Sequence, residues 1–379
     1  MHGHGIRNCM DKALELLKRK IENASDFYIY GAGIVSMGAK IAIKYLWKID
    51  CKGTIVTRKN PGDSEAVKEI PDINLNSGLF ILVATPEQYH KEITEILRKR
   101  DFENFLCLDA ELEYLLMGEY LKQKENIHLI EDDIRELGSK DKVTGDIKDL
   151  DACIYMAISH GDHKLEREYT EQKWVKKIQV GAANTDKDIV ACKDNTGDNI
   201  SPENPIYGEM TASYWAWKNS SHDIEGLYHY RRVLDIDADA LRLISEGKID
   251  VILPLPFVCI PDTSAQYGRY LEKADIKVMR DIINEAHPEL TDKVETILSG
   301  NYLYNYNILV ARKEVLDAYC GWVFPMLKEI ARQCEINNEL HDKRKQRYIG
   351  RVGEVLTSLY FQINSDRIKV SHARKVWRV

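Results

Sequence analysis

The chain has 379 residues, a formal net charge of −7 and an isoelectric point near 5.9. Its length exceeds what one hydrophobic core normally supports, so two domains are expected, and its acidic balance argues against a dedicated nucleic-acid-binding protein. Hydrophobic residues make up 44% and charged residues 30% of the sequence, the proportions of a soluble globular protein.

Neither a membrane span nor a secretion signal is predicted. No apolar run is long enough to cross a bilayer, and the first residues, MHGHGIRNCMDKALELLKRK, lack an apolar signal core. The eight cysteines are scattered, without a Cys-x-x-Cys pair or zinc-site spacing, and are interpreted as buried apolar residues of a reducing compartment. These features predict a cytoplasmic protein.

Residues 1–110 alternate between helix and strand patterns. After an opening helix over residues 9–21, strands are predicted at 27–30, 53–56, 79–83 and 105–108, with helices between them ending at Tyr45 and at Arg98. This alternation predicts a small parallel Rossmann-like domain. Residues 111–149 have a charged helical pattern and are interpreted as a connector.

A glycine turn follows the first strand. Gly31 and Gly33 permit a tight turn and leave helix N–H groups free for an anion, and Gly38 lies further along the helix. The second strand ends in Thr-Arg-Lys (residues 57–59) rather than in the acidic residue that would bind a dinucleotide ribose. Three interpretations stay open: a turn required only for packing, a nucleotide or nucleotide-sugar site, and a site of hydride chemistry. The domain resembles the small Rossmann-like modules attached to sugar-modifying enzymes of bacterial surface-glycan pathways.

The pattern restarts near residue 150, so residues 150–379 are predicted to form a second, larger mixed α/β domain. Strands are predicted at 152–158, 178–181, 226–230, 250–254 and 306–310, and helices at 208–218, 265–286, 313–334 and 347–361.

Polar and cationic residues follow one buried strand of this domain. Gly226–Tyr228 runs directly into His229, Arg231 and Arg232. Side chains at the carboxyl end of such a strand are well placed to bind a ligand, and two adjacent arginines suit a phosphate group. An anionic, nucleotide-linked substrate is therefore the first hypothesis.

An ordered series of motifs in the second domain resembles one bacterial protein family. The series consists of Ile158–Lys164, Ile178–Ala183, Asp198–Ser201, Glu209, Tyr214–Asn219, Gly226–Arg232, Asn305–Leu309, Tyr319–Phe324 and Arg347–Glu354. Together they resemble a glycosyltransferase-like family of capsule, O-antigen and exopolysaccharide loci, long classed only as a domain of unknown function. The resemblance covers residues 152–361. It implies a GT-A-like fold and transfer of a hexosyl group from a nucleotide sugar such as a UDP-hexose, with galactofuranosyl transfer among the activities of relatives.

The resemblance also implies where the donor binds. In GT-A-like folds the nucleotide lies across the carboxyl ends of the first strands, which places His160, Gly161 and Asp162 against the base or ribose. Most such enzymes hold a metal-binding Asp-x-Asp where this sequence has His229–Arg232. The arginines are therefore predicted to stabilise the departing diphosphate, so that no metal ion or other cofactor is required.

A formal Asp-x-Asp sequence lies just beyond, at Asp235 and Asp237. It precedes a helix-like segment, so these aspartates are predicted to cap a helix. They are kept as a fallback metal site.

Inverting sugar transfer needs a carboxylate that deprotonates the acceptor hydroxyl. Glu354 is preferred, because it fits the base position common among inverting GT-A enzymes, and the basic residues before it are expected to keep it ionised. Glu209 and Asp198 are the other candidates. For all three, a helix-capping or salt-bridge role is the alternative.

Two sets of residues are predicted at the acceptor. Tyr214 and Trp217 lie on the predicted helix of residues 208–218, where an aromatic face suits sugar stacking; core packing is the alternative. Asn305 and Asn307 adjoin a predicted strand, where amides suit sugar hydroxyl groups; buried turn positions are the alternative.

The segment from Arg367 to Arg378 contains five basic residues and Trp377. Such a segment suits peripheral contact with anionic headgroups of the inner membrane, which fits an acceptor carried on a polyprenyl diphosphate. A solvated basic tail is the alternative.

The first functional hypothesis is a metal-independent glycosyltransferase that moves a hexosyl group from a nucleotide sugar to a surface-polysaccharide acceptor. The second is a non-catalytic nucleotide-sugar-binding protein of a glycan assembly complex. The third is an NAD-dependent sugar oxidoreductase working through residues 31–38, against which residues 57–59 count.

Overall fold

The computed structural model of the protein describes residues 2–59, 67–138, 150–166, 168–336 and 347–378. The chain divides into two compact units, residues 1–127 and 128–379. None of the described helices is long and apolar enough to cross a bilayer.

The first unit alternates helices and strands around a parallel sheet. Its elements are α1 (His2–Glu22), β1 (Asp26–Tyr30), α2 (Ile34–Trp47), β2 (Gly53–Val56), β3 (Val67–Glu69), β4 (Leu79–Val83), α3 (His90–Arg98), β5 (Phe105–Cys107) and α4 (Ala110–Glu125). Its described strands are all parallel and lie in the order β3-β2-β1-β4-β5. Strand β4 is buried at every residue, as a central strand covered by helices on both faces must be. The α/β fold predicted for this part is confirmed, and β3 is an additional short strand.

The predicted connector contributes a helix to each unit. In the first unit, Asp109 caps α4, and its side chain accepts the Leu112 backbone N–H at 2.8 Å. Leu116 and Leu121 of this helix are buried. The next helix, α5 (Ile130–Gly138), belongs to the second unit, and residues 139–149 lie outside the described residues.

The second unit is built on a mixed sheet. After α5 its elements are β6 (Ala152–Ile158), β7 (Val175–Gln179), α6 (Asn204–Tyr207), α7 (Met210–Asn219), β8 (Ile224–His229), β9 (Arg232–Leu234), α8 (Ala238–Ser245), β10 (Val251–Pro254), β11 (Phe257–Val258), α9 (Ser264–Tyr267), α10 (Lys273–Ala286), α11 (Thr291–Leu298), β12 (Tyr302–Leu303), β13 (Leu309–Arg312), α12 (Lys313–Ile336), α13 (Tyr348–Ile363), β14 (Val370–Ala373) and β15 (Lys375–Trp377). The described strands run β14-β10-β13-β8-β6-β7, with β9 pairing both β8 and β15. Strand β13 is antiparallel to its neighbours, whereas β8, β6 and β7 are mutually parallel. The predicted mixed α/β fold is confirmed.

Helices cover both faces of this sheet, because alternate residues of a strand point to opposite sides. On β10, Val251 and Leu253 join a core that includes residues of α10, α12 and α13. Ile252, between them, joins the core that includes α8. A sheet buried on both faces leaves its strand ends as the natural place for a polar site.

The basic C-terminal segment is part of the sheet. Strand β14 pairs in parallel with β10, and β15 pairs antiparallel with β9. Arg374 binds Asp235 at 2.6 Å, and Arg378, only 8% exposed, binds Glu171 at 2.8 Å. These two cations of the predicted tail are therefore used within the fold.

Candidate active site

The carboxyl ends of two parallel strands meet beside the arginine pair. Strand β6 is parallel to β8, with Ala157 opposite His229. The loop that begins at Ser159 and the turn that follows His229 therefore lie at the same edge of the sheet. The structure thus brings together two of the segments predicted to bind the donor.

The His229–Arg232 segment is a tight hairpin between β8 and β9, in which His229 pairs with Arg232. His229 is buried, and its Nδ1 atom accepts the Arg231 backbone N–H at 3.3 Å. Burial lowers the pKa of His229 to about 3, with further lowering by Arg232, Arg231 and Arg347. The imidazole is therefore neutral at physiological pH and surrounded by three cations.

Arg232 is held between two aromatic rings. Its guanidinium carbon lies 4.3 Å from the centre of the Tyr306 ring and 4.1 Å from that of Trp377. Trp377 reaches this position because β15 pairs with β9 and sets Trp377 opposite Arg232. Cation–π contacts of this kind orient the side chain and favour its charged form.

Both sequence-predicted arginines retain unused hydrogen-bond donors. The Nε atoms of Arg231 and Arg232 are buried and have no hydrogen-bond partner among the described residues. A buried guanidinium N–H without an acceptor is costly. An anion that supplied acceptor oxygens at this point would remove that cost.

Arg347 is a third cation of the cluster, and no individual role was predicted for it. Its backbone is left-handed (φ 62°), and its backbone N–H donates to the Pro205 carbonyl oxygen at 2.8 Å. Its charge acts on both His229 and Asp162. One sequence signal could have identified it, because a cation directly before a helix opposes the helix dipole and calls for another explanation.

The loop after β6 contributes one carboxylate to this cluster. Asp162 accepts the Ser159 backbone N–H at 2.7 Å and so closes the turn. Burial raises the pKa of Asp162, while Arg347, Arg231 and His163 lower it. His160 and Gly161, from the same loop, are exposed. Their predicted contact with base or ribose stays a prediction.

Two of the three candidate bases lie next to the arginines. Glu354, on α13, has a side chain that is only 15% exposed. Burial raises its pKa to about 7, and the negative charge of Glu209 acts in the same direction. Arg351, the Tyr306 backbone N–H and Arg232 oppose this rise. The basic neighbours were expected to keep Glu354 ionised, but burial outweighs their effect on its pKa.

Glu209 is the last residue before α7 and does not cap that helix through its side chain. Its Oε1 atom accepts a hydrogen bond from the Asn307 amide at 3.1 Å. Asn307 also donates to the Gly350 carbonyl oxygen at 3.0 Å. A single buried amide thus connects Glu209 to the helix that carries Glu354.

Asp198 lies at the opposite end of α7. It accepts the Tyr214 hydroxyl at 3.2 Å, and its backbone bonds with Asn219, the last residue of the helix. Glu209 lies directly before the first residue of the same ten-residue helix, which spans about 15 Å. The structure therefore does not group Asp198 with the other two candidate bases.

Tyr214 and Trp217 pack on α12. The Trp217 ring stacks on Phe324 with centroids 5.7 Å apart, and Tyr214 meets the same ring edge-on at 5.1 Å. Lys218 covers Trp217, its Nζ atom lying 3.4 Å from the ring centre. These contacts correspond to the core-packing alternative. A role for either ring in sugar binding stays a prediction.

The fallback metal ligands are engaged elsewhere. Asp237 caps α8 by accepting the backbone N–H groups of Asp239 and Ala240 at 3.0 and 3.1 Å, as the capping interpretation predicts. Asp235 is paired with Arg374. Within the described part of the chain, no three His, Cys, Asp or Glu side chains come together as a metal site. That no metal ion is required stays a prediction.

The glycine turn of the first unit is shaped by packing at two of its three glycines. A Cβ on Gly31 (φ +119°) would lie 2.7 Å from the Ala84 carbonyl oxygen, and one on Gly38 would lie 3.4 Å from Met117 Sδ. Gly33 has no described atom within 4 Å of a Cβ position. It directly precedes α2, and no described atom crowds this position. A nucleotide at this place stays a prediction.

In comparisons with known proteins, the family match falls within the second unit. No curated protein sequence matches the chain. Among solved structures, the apo structure of the WbbM bifunctional glycosyltransferase is similar, with 26% sequence identity and a TM-score of 0.50. The match covers 60% of this chain and 45% of that chain, so this chain corresponds to less than half of the length of WbbM. Residues 155–365 match the family described as a domain of unknown function (DUF4422), and the chain therefore belongs to that family.

Proposed function

We propose that the protein is a glycosyltransferase that moves a hexosyl group from a nucleotide sugar to a glycan acceptor. The observation that carries the proposal is the proximity of two arginines, whose buried Nε atoms have no described acceptor, to a carboxyl group whose pKa is about 7. The similarity to WbbM, a bifunctional glycosyltransferase, supports the same class of reaction. Transfer of galactofuranose, and an acceptor belonging to a capsule, O-antigen or exopolysaccharide, are the more specific forms of this proposal.

The arginine cluster would bind the diphosphate of the donor. Arg231, Arg232 and Arg347 supply N–H donors and positive charge where the bond between the anomeric carbon and the phosphate oxygen breaks. The electron pair of that bond leaves with the diphosphate, which the three guanidinium groups stabilise. His229 stays neutral, so it adds no charge and serves as the acceptor that fixes the hairpin.

Glu354 is proposed as the general base. As the acceptor oxygen forms its bond to the anomeric carbon, its proton passes to the carboxylate of Glu354. A pKa near 7 matches this task, because a base works best when its pKa lies near the working pH. Glu209 raises the pKa of Glu354 and is proposed as a positioning residue rather than as the base.

The donor role of the cluster can be tested by calorimetry. Purified protein is titrated with UDP-galactose, UDP-galactofuranose, UDP-glucose and NAD, each with excess EDTA and each with manganese. The proposal expects a UDP-sugar to bind in EDTA, and the Arg231→Ala variant to lose at least tenfold in affinity. Binding of NAD alone would favour an oxidoreductase of the first unit.

Turnover separates an enzyme from a binding protein. Release of UDP in the presence of EDTA is expected from the wild-type protein with the donor that binds. A donor that binds but is never turned over, with any acceptor, would favour the non-catalytic alternative. Turnover that requires manganese would overturn the metal-independent form of the proposal.

A further inference from the structure

Two consecutive residues between β12 and β13 have a backbone conformation that is uncommon outside glycine. Tyr306 and Asn307, which we call the Tyr306–Asn307 turn, both have positive φ angles, 80° and 51°. Asparagine tolerates this left-handed conformation, but for a bulky residue such as tyrosine it is an outlier that costs free energy. Contacts around the turn must therefore hold Tyr306 in place.

The segment that contains this turn lies along α13. Its partners on that helix are four residues apart, about one helical turn, and are Ser358, Glu354 and Gly350. The first accepts the Tyr304 backbone N–H at 2.8 Å. The second interacts with the Tyr306 backbone N–H, and the third accepts a hydrogen bond from the Asn307 amide at 3.0 Å. The turn is therefore anchored on the helix that carries the proposed base.

The side chains of the turn contact two further groups of the site. The centre of the Tyr306 ring lies 4.3 Å from the Arg232 guanidinium carbon. Asn307 is only 4% exposed, and its amide nitrogen donates to Glu209 Oε1 at 3.1 Å. Both partners of this amide are acceptor oxygens, so its nitrogen rather than its oxygen must face them. One short turn thus contacts groups assigned to both halves of the proposed reaction.

We propose that the Tyr306–Asn307 turn positions both halves of the transfer site. Its tyrosine orients Arg232 toward the diphosphate, and its asparagine holds Glu209 beside Glu354. This inference rests on the proposed glycosyl transfer, in which Arg232 stabilises the leaving diphosphate and Glu354 accepts the proton of the acceptor hydroxyl group. Both are positioning residues, since each acts through the side chain that it contacts. For Asn307 this role replaces a direct bond to the acceptor, because its amide nitrogen is buried and already bonded.

The two effects are physically separate. The buried Nε atom of Arg232 has no described acceptor, so the aromatic rings beside this side chain orient it until an anion binds. Glu209 is half-buried, and its negative charge raises the pKa of Glu354. Without the amide bond Glu209 turns toward solvent, and water that enters beside Glu354 lowers the cost of its charged form. Loss of the Tyr306 ring should therefore weaken anion binding, whereas loss of the Asn307 amide should lower the pKa of Glu354.

The test uses the full-length protein and two measurements. Calorimetry in excess EDTA measures the binding of UDP and of inorganic pyrophosphate, which needs only the cationic half of the site. Carbon-13 NMR of labelled glutamate carboxyl groups measures the pKa of Glu354, whose signal is identified by its loss in the Glu354→Gln variant. Tyr306→Leu removes the ring and Tyr306→Phe keeps it. Asn307→Gly keeps the left-handed backbone but loses the amide.

Two exchanges at the start of the same segment are the matched controls. Tyr302→Leu removes a ring that packs on Tyr304. Asn301→Gly removes an exposed amide that donates to the carbonyl oxygens of Cys259 and Pro261. Neither of these contacts involves the arginine cluster or a candidate base. Urea unfolding shows that each variant is folded before its binding and its pKa are measured.

Affinity for the two anions should fall about fivefold or more in Tyr306→Leu and stay within about twofold of the wild type in Tyr306→Phe and Asn307→Gly. The pKa of Glu354 should fall by about 0.5 or more in Asn307→Gly and stay unchanged in Asn301→Gly.

The inference is overturned if Tyr306→Leu binds the anions as well as Tyr302→Leu does, or if Asn307→Gly leaves the pKa of Glu354 where Asn301→Gly leaves it. A wild-type protein that binds neither anion would overturn the inference and the proposed function together. Both expected changes without turnover of any UDP-sugar would support the positioning role and count against the proposed function alone.

Discussion

At the scale of single residues, Glu354 shows how the fold changes the meaning of a side chain. In the sequence it is one of several glutamates near basic residues. In the structure, burial raises its pKa to about 7 although Arg351 and Arg232 oppose the change. Groups with such shifted pKa values cluster at functional sites, which agrees with the role proposed for Glu354.

The Glu354→Gln variant is expected to be more stable than the wild type and to lose activity. The folded-state pKa of Glu354 lies above its ordinary value of 4.5, so the free energy of unfolding of the wild type falls as the pH rises from about 4.5 to about 7. Glutamine does not ionise, so the variant lacks this loss. The difference in the free energy of unfolding between the variant and the wild type should grow over that range to as much as about 3 kcal/mol above pH 7.

Urea unfolding between pH 4.5 and 8 measures this difference. Glu314→Gln, a change of an exposed carboxylate on α12, is the control and should stay within about 0.5 kcal/mol of the wild type throughout. Transfer by the wild type should rise with pH through about 7, and the Glu354→Gln variant should lose about 10²–10⁴-fold in kcat. Full turnover by this variant would remove Glu354 from the base role.

Arg347 is expected to contribute to donor affinity. The Arg347→Ala variant removes one of the three guanidinium groups around His229, and hydrogen bonds to charged groups contribute about 1.5–3 kcal/mol. Donor affinity should therefore fall by about 10–150-fold. Arg367→Ala, an exposed arginine beside Asp366, is the control and should bind the donor like the wild type. Equal affinity in both variants would exclude Arg347 from the donor site.

At the scale of elements, the site depends on segments that are distant in the sequence. Strand β15 brings Trp377 to Arg232, and the start of α13 is tied to α6 through Arg347 and Pro205. The loop before α7 is organised by Asp194, which is fully buried. Asp194 accepts the backbone N–H groups of Gly181 and Ala182 and the hydroxyl groups of Ser201 and Thr211.

The Asp194→Asn variant should be strongly destabilised. An asparagine places an NH₂ group where Asp194 has an acceptor oxygen facing N–H and O–H donors, so at least one buried donor loses its partner. We expect a loss of about 3 kcal/mol in the free energy of unfolding, measured by urea unfolding. Asp188→Asn, whose side chain is 77% exposed, should change it by less than about 0.5 kcal/mol. Similar values for the two variants would show that Asp194 does not organise this loop.

At the scale of the whole molecule, the net charge of −7 does not favour contact with an anionic membrane. Such contact therefore depends on local basic patches. Arg374 and Arg378 are bonded within the second unit. Arg367 and Lys369 are exposed and would carry the contact predicted for the C-terminal segment, in which each basic residue contributes about 1 kcal/mol near an anionic surface.

Co-sedimentation with vesicles tests this contact. We expect more protein to bind vesicles with anionic lipids than neutral ones, with binding reduced about 30-fold in the Arg367→Ala/Lys369→Ala double variant. Lys91→Ala/Lys99→Ala, a double variant at two exposed lysines of the first unit, controls for charge. Equal binding of both double variants would contradict the contact.

The sequence by itself determined the two-unit α/β organisation, since the alternation of apolar strands and amphipathic helices is local and repeats along the chain. It also indicated the strand that ends in His229, Arg231 and Arg232, because a break from apolar to cationic residues can be read without a structure. Strands β14 and β15 were not predicted, because segments of only four and three residues carry little periodicity and become strands by pairing with β10 and β9.

Only the tertiary structure decided which polar residues share a site. It brought Arg347 near His229 and bonded Glu209 to Asn307, and it placed Asp198 against Tyr214 and the last residue of α7. It also gave Glu354 its shifted pKa, because burial and the proximity of other charges depend on segments that are far apart in the chain. Composition and periodicity carry information about neighbours within one element, whereas a site is made of contacts between elements.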